Sequence, residues 1–269
     1  MICRLLNFRI IESGLAITLL MFWLLKWGIV PAGAAEAHIA VASNFRATAL
    51  KIAEHLEQYS SHNYQLITGS TGKLTGQIIN GAPFDVFMAA DQRRPRLLIE
   101  RGFAEAASFQ VYVEGQLGLW WPNGPEGFDL ESLSVLEPQQ VCIANPAFAP
   151  YGEAANELVL AAGFNPKWLA KTIRVDNVTV VTAMVAQGHV RAGFVARAAM
   201  LAAARQSRFS VDERDILWLV GYPPVLQGMV MLERGRKNPA AVYWIEQMNS
   251  IAIQELLLRD GYDLPKGDG

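Results

Sequence analysis

Cysteine is almost missing: the 269-residue chain carries Cys3 and Cys142 and no third. Cys3 precedes an apolar run instead of following it, so it does not fit a lipoprotein signal. Cys142 lies in the apolar stretch Val141–Ala144 and reads as a small buried hydrophobe. Histidine is sparse too, with four in the chain. His38, His55, His62 and His189 show no metal-ligand spacing, and neither H-E-x-x-H nor G-x-S-x-G occurs. Among enzymes this leaves open a hydrolase with an atypical triad, because Ser, His and Asp are present separately. Charged side chains make up 18% of the chain, the net charge is −2, and Lys and Arg are scattered. No basic stripe that could neutralise a run of phosphates is present, which argues against a nucleic-acid partner.

What the chain does have is apolar material, 52% of its residues, enough for a packed core in one large domain or two small lobes. The amino terminus differs from the rest. Arg4 and Arg9 are followed by an uncharged apolar run over 14–25, then Pro31 and a small-residue stretch ending in Ala35-Glu36-Ala37. This order reads as a secretory signal peptide over 1–37 with an A-x-A cleavage site, and implies an exported, periplasmic protein. Cleavage is expected after Ala37, with Ala34 as a second position. An uncleaved anchor is the alternative reading, since apolar residues continue past Lys26 to Val30. Loss of 1–37 removes Arg4, Arg9 and Lys26 against Glu12 and Glu36, and moves the net charge from −2 to −3. Cys142 is then alone, which excludes an intramolecular disulfide. An anion bound by such a chain would not be held by ionic pairing.

The rest alternates short β-like runs with longer helical ones, the pattern of an α/β fold with largely parallel sheets. Strands are expected at 38–42, 64–68, 84–89, 111–121, 141–144, 173–175, 192–196 and 225–233. Helices are expected at 47–59, 74–80, 93–101, 153–162, 178–186 and, as one long closing element, 240–259. No internal repeat or low-complexity segment interrupts them.

Four strand-to-helix corners share one chemistry: Ala42-Ser43-Asn44-Phe45, Gly69-Ser70-Thr71-Gly72-Lys73-Leu74, Asn145 through Pro150-Tyr151-Gly152, and Asp176-Asn177-Val178. The first turn of a helix carries N–H groups without intrahelical partners and the positive end of the macrodipole, so each corner is a potential anion site. One corner alone means only capping. Several that converge at the carboxyl ends of strands would offer many neutral donors to a deprotonated oxyanion, which can only accept. The nucleotide P-loop reading of Gly69–Lys73 fails, because Ile67 and Leu74 stand where the pattern requires Gly and Ser or Thr. Lys73 reads as a solvated helix residue, and Asp85 and Asp91 as caps or turns flanking an apolar strand. Trp120-Trp121 and Tyr243-Trp244 read as core.

The first two corners, NGAPFDVFMAAD at 80–91 and NPAFAPYG at 145–152 resemble the periplasmic molybdate-binding component of ABC transporters, and the likeness runs from about His38 to Tyr262. The resemblance implies a two-lobed type II periplasmic-binding-protein fold with mixed, mainly parallel sheets and a ligand cleft between the lobes. Lobe one would comprise 38–113 and a return over 226–269, and lobe two 114–225. It further implies a monomeric, non-enzymatic protein that needs no cofactor and binds no nucleic acid. Its partners would be molybdate or tungstate and the permease of an ABC transporter in the inner membrane. By position, the oxyanion contacts would be Ser43, Asn44, Ser70, Thr71, Tyr151 and the backbone at Val178, capped by Asn177. Some members carry a tyrosine where this chain has Ala196, so Tyr151 would have to supply the compensating contact. Thr71 stands where serine is common, and Asp176 is expected to point away. The sequence does not rank molybdate, tungstate and sulfate, which share charge and shape. A sugar- or amino-acid-binding relative is disfavoured for want of charged or stacking partners at the corners.

Overall fold

The computed structural model describes residues 33–206 and 211–265, so the expected leader lies outside the described residues as far as residue 32. The described residues from Ala35 onward form one compact unit. Its strands are β1 (Glu36–Ala42), β2 (Asn63–Gly69), β3 (Val86–Met88), β4 (Gln110–Gly115) and β5 (Leu117–Trp120). They continue with β6 (Val141–Ala144), β7 (Ile173–Val175), β8 (Ala192–Ala196), β9 (Ile216–Trp218) and β10 (Val225–Met231). The helices are α1 (Arg46–Tyr59), α2 (Thr71–Ile79), α3 (Arg93–Glu100), α4 (Pro150–Ala161) and the short α5 (Pro166–Leu169). After these come α6 (Val178–Ala186), α7 (Arg197–Gln206), α8 (Pro239–Gln247) and α9 (Ile251–Arg259).

Two five-stranded sheets result, ordered β2-β1-β3-β10-β4 and β7-β6-β8-β5-β9. In the first, β1 runs parallel to β2 and β3, while β10 is antiparallel to β3 and β4. In the second, β6 is parallel to β7 and β8, while β5 is antiparallel to β8 and β9. The two-lobed α/β architecture with mixed sheets is therefore the one expected. Each lobe has its own core, around Ile39, Phe45 and Trp244 in the first and around Leu117, Trp121 and Phe194 in the second. Cys142 is fully buried in the second core, where burial pushes its thiol up to about 12 and leaves it unreactive.

Several boundaries differ from expectation for identifiable reasons. The single strand expected over 111–121 is two strands in different sheets, interrupted at Gln116, because the chain changes lobes there. The long closing helix is α8 and α9, broken where Asn249 and Ser250, poor helix formers, leave the helical path. Helices α2 and α4 each begin three residues before the expected 74 and 153, the latter with Pro150 at its first position. Helix α7 and strand β9 were not anticipated. Strand β1 starts at Glu36, and Glu36 and Ala37 pair with Asn63 and Tyr64. Ala37 is fully buried, and the Asn63 N–H donates to the Ala35 carbonyl at 2.9 Å. Cleavage after Ala37 would remove paired strand residues; cleavage after Ala34 leaves the strand whole.

Of the two flanking carboxylates, Asp91 caps α3 as expected by accepting from the Arg94 N–H at 2.9 Å, and it also pairs with the Arg94 guanidinium. Asp85 is buried and accepts from the His38 N–H at 2.7 Å, tying the strands together.

A buried carboxylate, Asp260, joins elements from both ends of the unit. It accepts from Thr48 Oγ1 at 2.8 Å, Lys51 Nζ at 2.5 Å and Arg205 Nη1 at 2.8 Å. Burial raises its pKa, but the hydrogen bonds from Lys51 and Thr48, with the charges behind them, outweigh burial and hold it below the ordinary aspartate value. A depressed folded-state pKa stabilises above the unfolded value, about 3.9, and the contribution is lost as pH falls through the folded value. Asp260→Asn should therefore lower stability at neutral pH by about 1.5–3 kcal/mol, the range for hydrogen bonds to a charged group. Denaturant melts should show that deficit shrinking toward zero in acid.

Candidate functional site

Each of the four corners delivers polar groups to one small cavity between the lobes. Ala42, Ser43 and Asn44 come from the end of β1, Ser70 and Thr71 from the end of β2, and Ala90 from beyond β3. The second lobe supplies Ala149, Pro150 and Tyr151 after β6, and Asn177 and Val178 after β7. All seven residues singled out in the sequence thus meet in one place, at the carboxyl ends of parallel strands. Ala196 is buried at the end of β8 and does not line the cavity.

The local structure at each corner sets which groups are free. Ser43–Phe45 is a 3₁₀ turn that leads into α1. Ser70 occupies the cap position of α2, yet its hydroxyl makes no capping bond; Ser70 Oγ is buried without a partner among the described residues. Thr71 is 1% exposed, and its Oγ1 accepts from the Ala90 N–H at 3.1 Å. With its oxygen engaged that way, the Thr71 hydroxyl has a proton to give. Asn177 caps α6 by accepting from the N–H groups of Thr179 and Val180, both at 3.1 Å. Its oxygen is spent there, which leaves the Val178 N–H, without an intrahelical partner, facing the same end. Pro150 has no N–H, so Tyr151 offers the first backbone donor of α4.

Tyr151 is 2% exposed, and its hydroxyl oxygen accepts from Gln227 Nε2 at 3.0 Å. Burial, with the neighbouring phenols of Tyr262 and Tyr222, pushes its pKa well above the ordinary tyrosine value against a smaller lowering by Gln227. The phenol therefore keeps its proton. Close beneath it runs Gly115: a methyl group there would lie 1.8 Å from Tyr151 Oη.

The lobes are closed over this cavity. The Gly72 N–H donates to the Phe148 carbonyl at 2.8 Å, and Thr179 Oγ1 donates to the Ser43 carbonyl at 3.0 Å. Lys73 pairs with Asp176 at 2.5 Å and Arg93 with Glu153 at 3.0 Å. Asp176 accordingly points away from the cavity, as expected, while Lys73 is not merely solvated but bridges the lobes. No charged side chain lines the cavity, and among the described residues no cluster of His, Cys, Asp and Glu could hold a metal ion. The lining is a set of neutral donors and helix amino termini, suited to a small anion with acceptors on every side.

The sequence pattern of a family described as bacterial extracellular solute-binding protein matches residues 37–263. The chain belongs to that family. Two curated relatives are similar to this solute-binding protein over most of their length. A molybdate-binding protein ModA from Azotobacter vinelandii is 33% identical over 239 residues, 87% of this chain and 92% of the relative. Another ModA, from Rhodobacter capsulatus, is 30% identical over 233 residues, 87% of this chain and 90% of the relative. A solved structure of the Azotobacter vinelandii periplasmic molybdate-binding protein superposes with a TM-score of 0.76 at 27% identity, covering 86% of this chain and 100% of that one.

Reading the corners missed the support beneath them. Gln227, Gly115 and the Ala90 N–H fix Tyr151 and Thr71 without lining a corner motif. Gln227 did leave a signal, as the one polar side chain in the otherwise apolar VLQGMVM of β10.

Proposed function

We propose that this solute-binding protein captures molybdate, or its close analogue tungstate, in the periplasm and hands it to the permease of an ABC transporter. The observation that carries the proposal is the convergence of Ser43, Asn44, Ser70, Thr71, Tyr151, Asn177 and Val178 on one cavity with no charged lining. Tetrahedral oxyanions without protons present only acceptors, and these residues present donors from two lobes. The names carried by the two curated relatives support molybdate as the particular oxyanion. One chain builds the whole cavity, which supports action as a monomer. The lobes would correspond to 38–113 with 226–269, and to 114–225.

A donor-lined site discriminates by protonation. Phosphate near neutral pH carries a proton that needs an acceptor, and burying it opposite another donor costs about 1–3 kcal/mol. Competitive calorimetry on the purified protein should show molybdate and tungstate binding one site per chain, and phosphate at least about tenfold more weakly. Sulfate, proton-free and of the same shape, is the competitor that measures how size is selected. Equal affinity for molybdate and phosphate would sink the oxyanion assignment.

A further inference from the structure

We propose that Gln227 sets the polarity of the anion site, by donating to the Tyr151 oxygen and so committing the Tyr151 hydroxyl to donate into the cavity. The inference rests on the oxyanion reading above and adds a positioning residue that lines none of the cavity. Gln227 lies in β10, the strand that returns to the first lobe, and is fully buried. Its Nε2 donates to Tyr151 Oη at 3.0 Å, while its Oε1 accepts from Asn44 Nδ2 at 2.9 Å. Tyr112 Oη lies 3.2 Å from the same Oε1 and shares its one proton between it and the Ala89 carbonyl at 3.1 Å. One amide therefore holds a residue from each lobe.

The bonds run in one direction. Tyr262 Oη donates to the backbone carbonyl of Asn44 at 2.9 Å, which leaves its oxygen to accept from Asn44 Nδ2 at 3.4 Å and so orients the Asn44 amide. Asn44 Nδ2 then donates to Gln227, and Gln227 Nε2 donates to Tyr151. With Oε1 facing the Asn44 amide donor, turning the Gln227 amide over would set N–H against N–H. At the end of the chain the Tyr151 hydroxyl has its oxygen engaged and its proton without an acceptor among the described residues. A phenol can donate or accept, and alone it could serve a protonated oxyanion as readily as a bare one. Held by Gln227, it can only give. Burial also raises the pKa of Tyr112, Tyr151 and Tyr262 well above the ordinary value, so all three keep the protons that the chain of bonds requires.

The test is the ratio of molybdate to phosphate affinity, read by calorimetry at mildly alkaline pH, where phosphate is the monoprotonated dianion. Both ligands are then dianions, so the ratio cancels general effects of charge and of folding and reads polarity. Gln227→Met frees the Tyr151 oxygen to accept, and the ratio should fall about tenfold, the size of one hydrogen bond to a charged group. In a Tyr151→Phe background the same substitution should leave the ratio unmoved, because no hydroxyl remains to turn. Gln227→Glu, which preserves an acceptor for Asn44 and Tyr112 and serves if the Met variant does not fold, takes the Tyr151 proton and should lower the ratio further, by up to about a hundredfold. A ratio unchanged in these variants, or one that falls equally with and without the Tyr151 hydroxyl, overturns the role of Gln227. Failure of the oxyanion reading itself looks different: the unaltered protein would then show no preference for molybdate.

Discussion

Gly115→Ala should weaken molybdate binding by more than about a hundredfold while leaving the protein folded, the loss expected when a charged hydrogen bond and the space for the ligand go together. The added methyl group would meet Tyr151 Oη at 1.8 Å, Gln227 Nε2 at 2.6 Å and Tyr151 Cζ at 2.9 Å. All three are ends of side chains, not backbone, so β4 can keep its path and its pairing with Val225. What has to move is the phenol. Tyr151 lines the cavity, so displacing its ring removes a donor and pushes atoms into a space that is already small. The Gln227 amide is dislodged at the same time. Calorimetry would give the affinity, and a thermal melt would show the fold intact. Gly152→Ala makes a useful contrast, because there the methyl group would lie 2.0 Å from the Ala144 carbonyl oxygen, a backbone atom that cannot step aside. That variant should fail in stability. A Gly115→Ala protein that binds normally would place the site away from the Tyr151 hydroxyl.

How much of this was legible in the residues follows from the range of each interaction. The corners were, because a strand followed by Ser, Thr, Asn or Pro at a helix start is a local pattern, and Asn177 caps α6 by bonds two and three residues long. Strands β6, β7 and β8 and helix α6 also fall where hydrophobic patterning puts them. Legibility ended where a choice depended on partners distant in sequence. The stretch over 111–121 is interrupted by Glu114 and Gln116, but strand-like residues on both sides do not say that the two halves belong to different sheets. The β1 start at Glu36 is set by pairing with Asn63 and Tyr64, and the A-x-A pattern that suggested cleavage there is blind to that pairing. Gln227 reaches Asn44 from 183 residues away and Tyr151 from 76. Its polarity in an apolar strand marked it as unusual, but only the fold supplies its partners.

Thr71→Val separates the two duties of one hydroxyl. Threonine and valine have nearly the same volume, so packing around this buried side chain is preserved and only hydrogen bonding is lost. The first duty is structural: Thr71 Oγ1 accepts from the Ala90 N–H at 3.1 Å, and valine leaves that buried donor unsatisfied. The expected penalty is about 1–3 kcal/mol of folding stability, visible in a denaturant melt without ligand. The second duty is to the anion. Because the oxygen is engaged by Ala90, the proton is available to the ligand, and its loss should weaken molybdate about ten- to hundredfold. Thr71→Ser keeps the hydroxyl and removes only a methyl group, so it should retain both the stability and most of the affinity. Serine restoring stability but not affinity would show that the methyl group shapes the fit. If valine instead lowered stability and left molybdate binding untouched, Thr71 would be a structural cap alone, and Ser70, whose buried hydroxyl has no protein partner, would remain as the donor from that corner.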